Sequence, residues 1–200
     1  MRYADDSVLG FQYKEEAERY LVALKEQLSG FGLTLHPEKT RLKAFGRYAA
    51  ERRKKRGEGK PAGFDFLVFK HLCKKNRKGG FFLRRKTISK RLRQTIREIK
   101  EALRIRMHAP IVQTGNWLKS VEQGYGQYFG VSGNIKALKS FRNLVTKAWY
   151  WSLRRRSQKG RAMNWQQFTP IVGAYIPRLR ICHEFPEVRF AKTQGRSRLR

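Results

Sequence analysis

The sequence predicts an α+β protein, with a mixed portion over residues 1–86 and a helical portion over residues 87–200. Two observations predict it. Short apolar runs between turn residues surround a single amphipathic stretch in the first portion. In the second, Ile88, Leu92, Ile96, Ile99, Leu103 and Met107 recur at steps of three and four, a helical period. Over the whole chain the charge is lopsided, with 46 Lys and Arg against 15 Asp and Glu, a formal +31.

The first element is Tyr3-Ala4-Asp5-Asp6, followed by Ser7-Val8-Leu9-Gly10-Phe11. Two carboxylates between short apolar pieces suit a β-hairpin whose tight turn carries Asp5 and Asp6, since Asp tolerates turn geometry and offers hard oxygen ligands. Lys14 to Ser29 reads as a helix with Ala17, Leu21, Leu24 and Leu28 on one face, stopped by Gly30 and Gly32. Leu33–Leu35 and Arg41–Phe45 read as short strands around a turn at residues 36–40. Residues 51–63, with the block Arg52-Arg53-Lys54-Lys55-Arg56 and then Gly57, Gly59 and Pro61, read as a surface loop. Gly63-Phe64-Asp65-Phe66-Leu67-Val68-Phe69 has strand character and pairs as a hairpin with Phe81-Phe82-Leu83 across Lys78-Gly79-Gly80.

Beyond the Ile88–Met107 stripe, Pro110 separates a second helix carrying Trp117, Leu118, Val121, Tyr125 and Tyr128, and Gly130 and Gly133 break it. Leu138, Phe141, Val145, Ala148 and Ser152 mark a third, ending at Arg154-Arg155-Arg156. Asn164 starts a last helix that Pro170 should kink or shorten. The tail after Pro186 reads as extended and basic.

A surplus of +31 points to a polyanionic partner, most simply nucleic acid, with an acidic membrane surface the other option, while 40% hydrophobic and 12% aromatic residues argue against a low-complexity basic chain. No apolar run approaches the ~20 residues of a membrane span, and no secretory signal is recognisable. The expected setting is therefore cytoplasmic or nucleic-acid-associated, with no membrane partner. Cys73 and Cys182 lack metal-ligand spacing and read as packing residues, and the four His are scattered.

Taken in order, acidic hairpin, helix, basic loop, Phe-rich hairpin and basic three-helix bundle, the chain resembles the C-terminal part of a bacterial group II intron reverse transcriptase/maturase. The resemblance rests on Tyr3-Ala4-Asp5-Asp6, residues 33–40, Gly63-Phe64-Asp65-Phe66-Leu67, residues 124–131 and residues 153–161. It implies a partial palm over 1–86 and a thumb, or maturase domain X, over 87–200. It also implies RNA-directed DNA polymerase lineage, with binding of intron RNA, help in splicing and retrohoming, and a template–primer duplex as partner. Asp5 and Asp6 would be catalytic and would ligate Mg2+ in a two-metal site, Tyr3 and Ala4 would form the active-site floor, and Gly63, Phe64, Asp65, Phe66 and Leu67 would grip the primer. The family takes a further Asp from an upstream palm strand that has no counterpart here. The expectation is therefore a chain that binds RNA but does not polymerise alone, unless a separate N-terminal polymerase part completes it.

A-form RNA offers little base readout in its deep groove, so grip falls to phosphate contacts. Arg84, Arg85, Lys86, Lys90 and Arg91, then Arg154, Arg155 and Arg156, are the expected contacts. Trp117, Trp149, Trp151 and Trp165 have the side chains to stack on bases, but core packing is the expected fate of most. Two alternatives stay open, a non-catalytic RNA-binding splicing module and a decayed remnant.

Overall fold

The computed structural model describes residues 2–59, 61, 63–75, 79–184 and 188. It is an α+β chain with a three-stranded antiparallel sheet and a two-stranded hairpin. It divides into two compact units, residues 1–67 with 72–82, and residues 68–71 with 83–200. The extended tail expected after Pro186 lies, apart from Val188, outside the described residues.

In the first unit, β1 (Arg2–Tyr3) and β2 (Asp6–Ser7) pair antiparallel, with Arg2 opposite Ser7 and Tyr3 opposite Asp6. α1 (Lys14–Gly30) forms where its period predicts, but Leu21, Leu24 and Leu28 are only half-buried and the helix has no fully buried residue. The two strands expected at Leu33–Leu35 and Arg41–Phe45 are absent. A strand exists only through a partner, and neither stretch has one among the described residues; the His36 carbonyl instead accepts from the Lys39 and Thr40 N–H groups to close a turn.

The loop expected over residues 51–63 is corrected in its first part, where α2 (Ala49–Lys55) winds a short helix. Ala, Glu, Arg and Lys all favour helix, buried Ala49 anchors it, and Glu58 ion-pairs with Arg53 at 3.2 Å and Arg56 at 3.0 Å. That carboxylate offsets the like-charge repulsion of the basic block.

β3 (Phe64–Phe66), β4 (Phe69–Lys75) and β5 (Phe81–Thr87) follow one another in the antiparallel sheet. The border between the units falls within β4 and β5.

The second unit holds α3 (Ser89–Ile105), α4 (Ile111–Phe129), α5 (Ile135–Arg155), α6 (Gln158–Ala162) and α7 (Trp165–Tyr175). α5 is its axis. Leu138, Phe141, Val145 and Trp149, spaced by three, four and four, are wholly excluded from solvent and face the other helices. Tyr125 of α4 stacks on Phe141 at 3.5 Å, and Phe168 and Tyr175 of α7 meet Trp149 edge-on at 5.6 and 6.0 Å. Ile96, Ile99 and Leu103 supply α3's contribution, and Val68 and Phe69 pack against the same cluster. Gly115 permits α7 to approach α4, because a Cβ there would lie 2.5 Å from the Tyr175 ring.

α7 starts at the expected cap, with Asn164 and Gln167 bonding each other's backbone in a capping box, and it runs on through Pro170 to Tyr175. α6 escapes the hydrophobic period because it has no buried residue; Ser157 caps it by accepting from the Gly160 N–H. Among the described residues, no helix is long and apolar enough to cross a membrane.

The five residues Gly130–Asn134 between α4 and α5 hold much of this unit together. Asn134 is buried, accepts from the Thr87 N–H at 2.9 Å and donates to Thr87 Oγ1 and the Phe129 carbonyl at 2.8 and 2.9 Å. The Gly130 carbonyl accepts from the N–H groups of Cys182 and His183, and Ser132 Oγ donates to the His183 carbonyl.

Candidate nucleic-acid interface

The acidic pair sits on the hairpin, with one change from expectation. The two-residue turn is Ala4-Asp5, while Asp6 is the first residue of β2 and pairs with Tyr3. Both carboxyl side chains are exposed, as are Tyr3 and Ala4. Ala4 holds φ 48°, a left-handed conformation that an L-residue adopts at a cost. Leu67 repeats this at φ 55° in the turn between β3 and β4. Among the described residues, no group of three or more His, Cys, Asp or Glu side chains is placed to hold a metal ion.

Of the stretch read as primer grip, Phe64–Phe66 forms β3, with Gly63 before it and Leu67 in the following turn. Phe66 is buried, Asp65 is exposed and Phe64 meets Phe45 edge-on at 4.9 Å. Lys43 Nζ donates to the Gly63 carbonyl at 3.1 Å, fixing the approach to the strand. Asp5, Asp6 and Gly63–Leu67 belong to the first unit, and all eight predicted RNA contacts belong to the second.

Arg84, Arg85 and Lys86 lie on β5 and alternate in direction. Arg85 shares the side of buried Thr87, and burial lowers its guanidinium pKa from the ordinary value. Arg84 is half-buried and donates through Nε to the Gly133 carbonyl at 3.3 Å, whereas Lys86 is exposed. Lys90 and Arg91 are exposed in the first turn of α3.

Lys90 begins a longer feature. Lys90, Arg93, Arg97, Lys100 and Arg104 are all exposed and step by three, four, three and four along α3. At about 100° per residue they fall within a sector of about 80°, and at 1.5 Å per residue the row extends about 21 Å. Among the described residues only Arg104 of the five has a carboxylate partner, Glu101 at 2.7 Å. The apolar stripe Leu92, Ile96, Ile99 and Leu103 lies about 110° around the helix from this row and faces the core, which leaves the cationic row toward solvent.

The second predicted cluster divides. Arg155 is exposed, Arg156 half-buried, and Arg154 is engaged internally, donating to Tyr150 Oη at 3.3 Å and to the Arg161 carbonyl at 2.8 Å. The Trp residues divide as well. Trp149 is in the core and Trp117 half-buried under the Arg106 guanidinium at 4.7 Å, but Trp151 and Trp165 remain 51% and 47% exposed. Cys182, expected to pack inside, is also exposed. These exposures escape sequence reading because an indole one residue off the buried stripe looks the same as one on it.

An open depression of about 550 Å³ is lined by Gly124, Gln127, Tyr128 and His183. His183 Nε2 lies 2.6 Å from the Gln127 carbonyl, which can only accept, so Nε2 carries the proton. Elsewhere, Glu122 of α4 is wholly buried, and burial pushes its carboxyl up to about 7, opposed by the Arg142 charge. It belongs to the helical core and not to this opening.

Compared with protein families, curated proteins and solved structures, the chain matches none.

Proposed function

We propose that the chain binds folded RNA through its helical unit, as part of a group II intron reverse transcriptase/maturase, with intron RNA as the partner and splicing as the process served. The observation that carries the RNA-binding reading is the row Lys90, Arg93, Arg97, Lys100 and Arg104. Five exposed cations spaced by about 4.5–6 Å along one rigid helix suit a run of backbone phosphates, and four of them have no ion-pair partner among the described residues. A-form RNA is gripped in this way, by shape and charge more than by base edges.

The acidic hairpin supports the polymerase lineage. Asp5 and Asp6 offer the hard, exposed oxygens that Mg2+ takes, and Mg2+ is commonly held by one or two carboxylates with phosphates and water completing its shell. The two side chains fit as part of such a shell; bound there, the ion would neutralise charge on transferring phosphate oxygens. The left-handed Ala4 beside them is the kind of strained backbone found at functional turns. The half-covered face of α1 supports a contact of this portion with another polypeptide segment.

Fluorescence anisotropy of the full chain with a structured RNA, titrated across salt, tests the reading. The chain should bind with an affinity that falls steeply with salt. Replacing Lys90, Arg93 and Arg97 together by Gln should reduce the slope of log K against log salt by about two to three, since each phosphate contact contributes about 0.7–0.9. An unchanged slope refutes the assignment of this row. Primer extension with Mg2+ should give no product from the chain alone, and robust synthesis refutes the incomplete-site reading.

A further inference from the structure

We propose that the corner formed by α5, α6 and α7 carries a stacking site for an unpaired nucleotide of RNA, with Trp151 as its principal platform and Trp165 beside it. The inference rests on the reading that the helical unit binds RNA, and it adds a preference for unpaired over duplex segments.

The mounting is the first observation. Tyr150 is almost fully buried and meets Trp151 edge-on at 5.4 Å and Trp165 edge-on at 5.0 Å; its hydroxyl donates to the Met163 carbonyl at 3.2 Å. Trp165 is braced further by Phe168, at 5.5 Å. Each indole is thus supported along one side by a fixed ring and leaves about half its surface to water. Two half-exposed indoles set around one buried ring make a contact surface of the kind in which Trp is enriched.

Charge is the second observation. On α5, Lys147 and Arg155 stand one helical turn before and one turn after Trp151, and both are exposed. They share its helix face, about 6 Å away along the axis on either side. Arg154 lies 5.4 Å from the Trp151 ring and 5.5 Å from the Tyr150 ring, and its bond to the Arg161 carbonyl holds it there. A flat apolar face between two cations fits one base and its two flanking phosphates. The acidic side chains of a peptide would satisfy the cations but carry no flat ring to place on the indole, whereas every nucleotide joins a ring to a phosphate, so the nucleotide is the better occupant.

The experiment uses the full chain and labelled RNA hairpins with one common stem. One carries an unpaired loop, a second the same loop built of abasic nucleotides, and a third is a blunt duplex. Trp151→Ala should weaken binding of the unpaired loop about tenfold, leave the abasic loop and the duplex unchanged, and leave the salt slope unchanged. Trp151→Phe, which keeps an aromatic face, should recover most of the loss, and far-UV circular dichroism should report an unaltered helix content for both. Lys147→Gln and Arg155→Gln should instead reduce the salt slope on both loops by about one each. The stacking site is overturned if Trp151→Ala weakens the abasic loop as much as the natural one, or weakens neither. It is also overturned if polyglutamate displaces the looped hairpin as effectively as unlabelled RNA does. Failure of the unaltered chain to bind any of the three hairpins would refute RNA binding itself.

Discussion

Glu122 offers a test of the core that is independent of any partner. Its side chain is 0% exposed, and among the described residues neither carboxylate oxygen has a hydrogen-bond partner. Burial raises its pKa from 4.5 to about 7, against the opposing pull of Arg142. The native state therefore holds a proton there that the unfolded chain has released, and stability falls as pH rises from about 4.5 to about 7 before levelling off. At 1.36 kcal/mol per pH unit, a gap of that size costs about 3 kcal/mol above neutrality. For a unit of this size that is a fall in Tm on the order of 10 °C. Glu122→Gln retains the shape and removes the ionisation. Thermal unfolding followed by circular dichroism from pH 4.5 to 8.5 should show a declining Tm for the unaltered chain and a nearly flat one for the variant, the curves meeting at the acid end. Parallel curves across the range would refute the buried-carboxyl account.

Other perturbations probe the rest of the unit. Asn134→Ala removes three hydrogen bonds linking Thr87 and Phe129, and should cost about 3 kcal/mol in chemical denaturation. Phe141→Ala should cost roughly 3–5 kcal/mol, because a wholly buried ring stacked on Tyr125 leaves a cavity. Gly130→Ala would drive a Cβ into the Gly126 carbonyl oxygen, and should accelerate amide exchange at Cys182 and His183 while the α3 amides stay protected. Asp5→Ala with Asp6→Ala should leave RNA affinity unchanged, since both lie outside the unit bearing the cationic row; a large loss in anisotropy would contradict that separation.

The helical unit was largely legible because its period is regular: Ile96, Ile99 and Leu103 sit where their spacing puts them, and so do Leu138, Phe141 and Val145. Asn164 announced α7 through capping chemistry, and α7 overrode Pro170 by packing Phe168 and Val172 into the core. The first unit was less legible. Leu33–Leu35 has strand composition, but pairing is a property of two segments, and composition speaks for one. α2 was hidden by its own charge, whose compensation by Glu58 lies outside the helix. At the candidate interface, residue type located the cations, but only the structure separates Arg155, which reaches solvent, from Arg154, which is spent on Tyr150 and Arg161.

The short connection from Gly130 to Asn134 has a mechanical consequence. It clamps the end of β5 through Thr87 on one side and the segment after α7 through Cys182 and His183 on the other. Three segments far apart in sequence, the end of β5, the chain after α7 and the start of α5, thus converge on five residues, so one substitution at Asn134 or Gly130 loosens more than one of them.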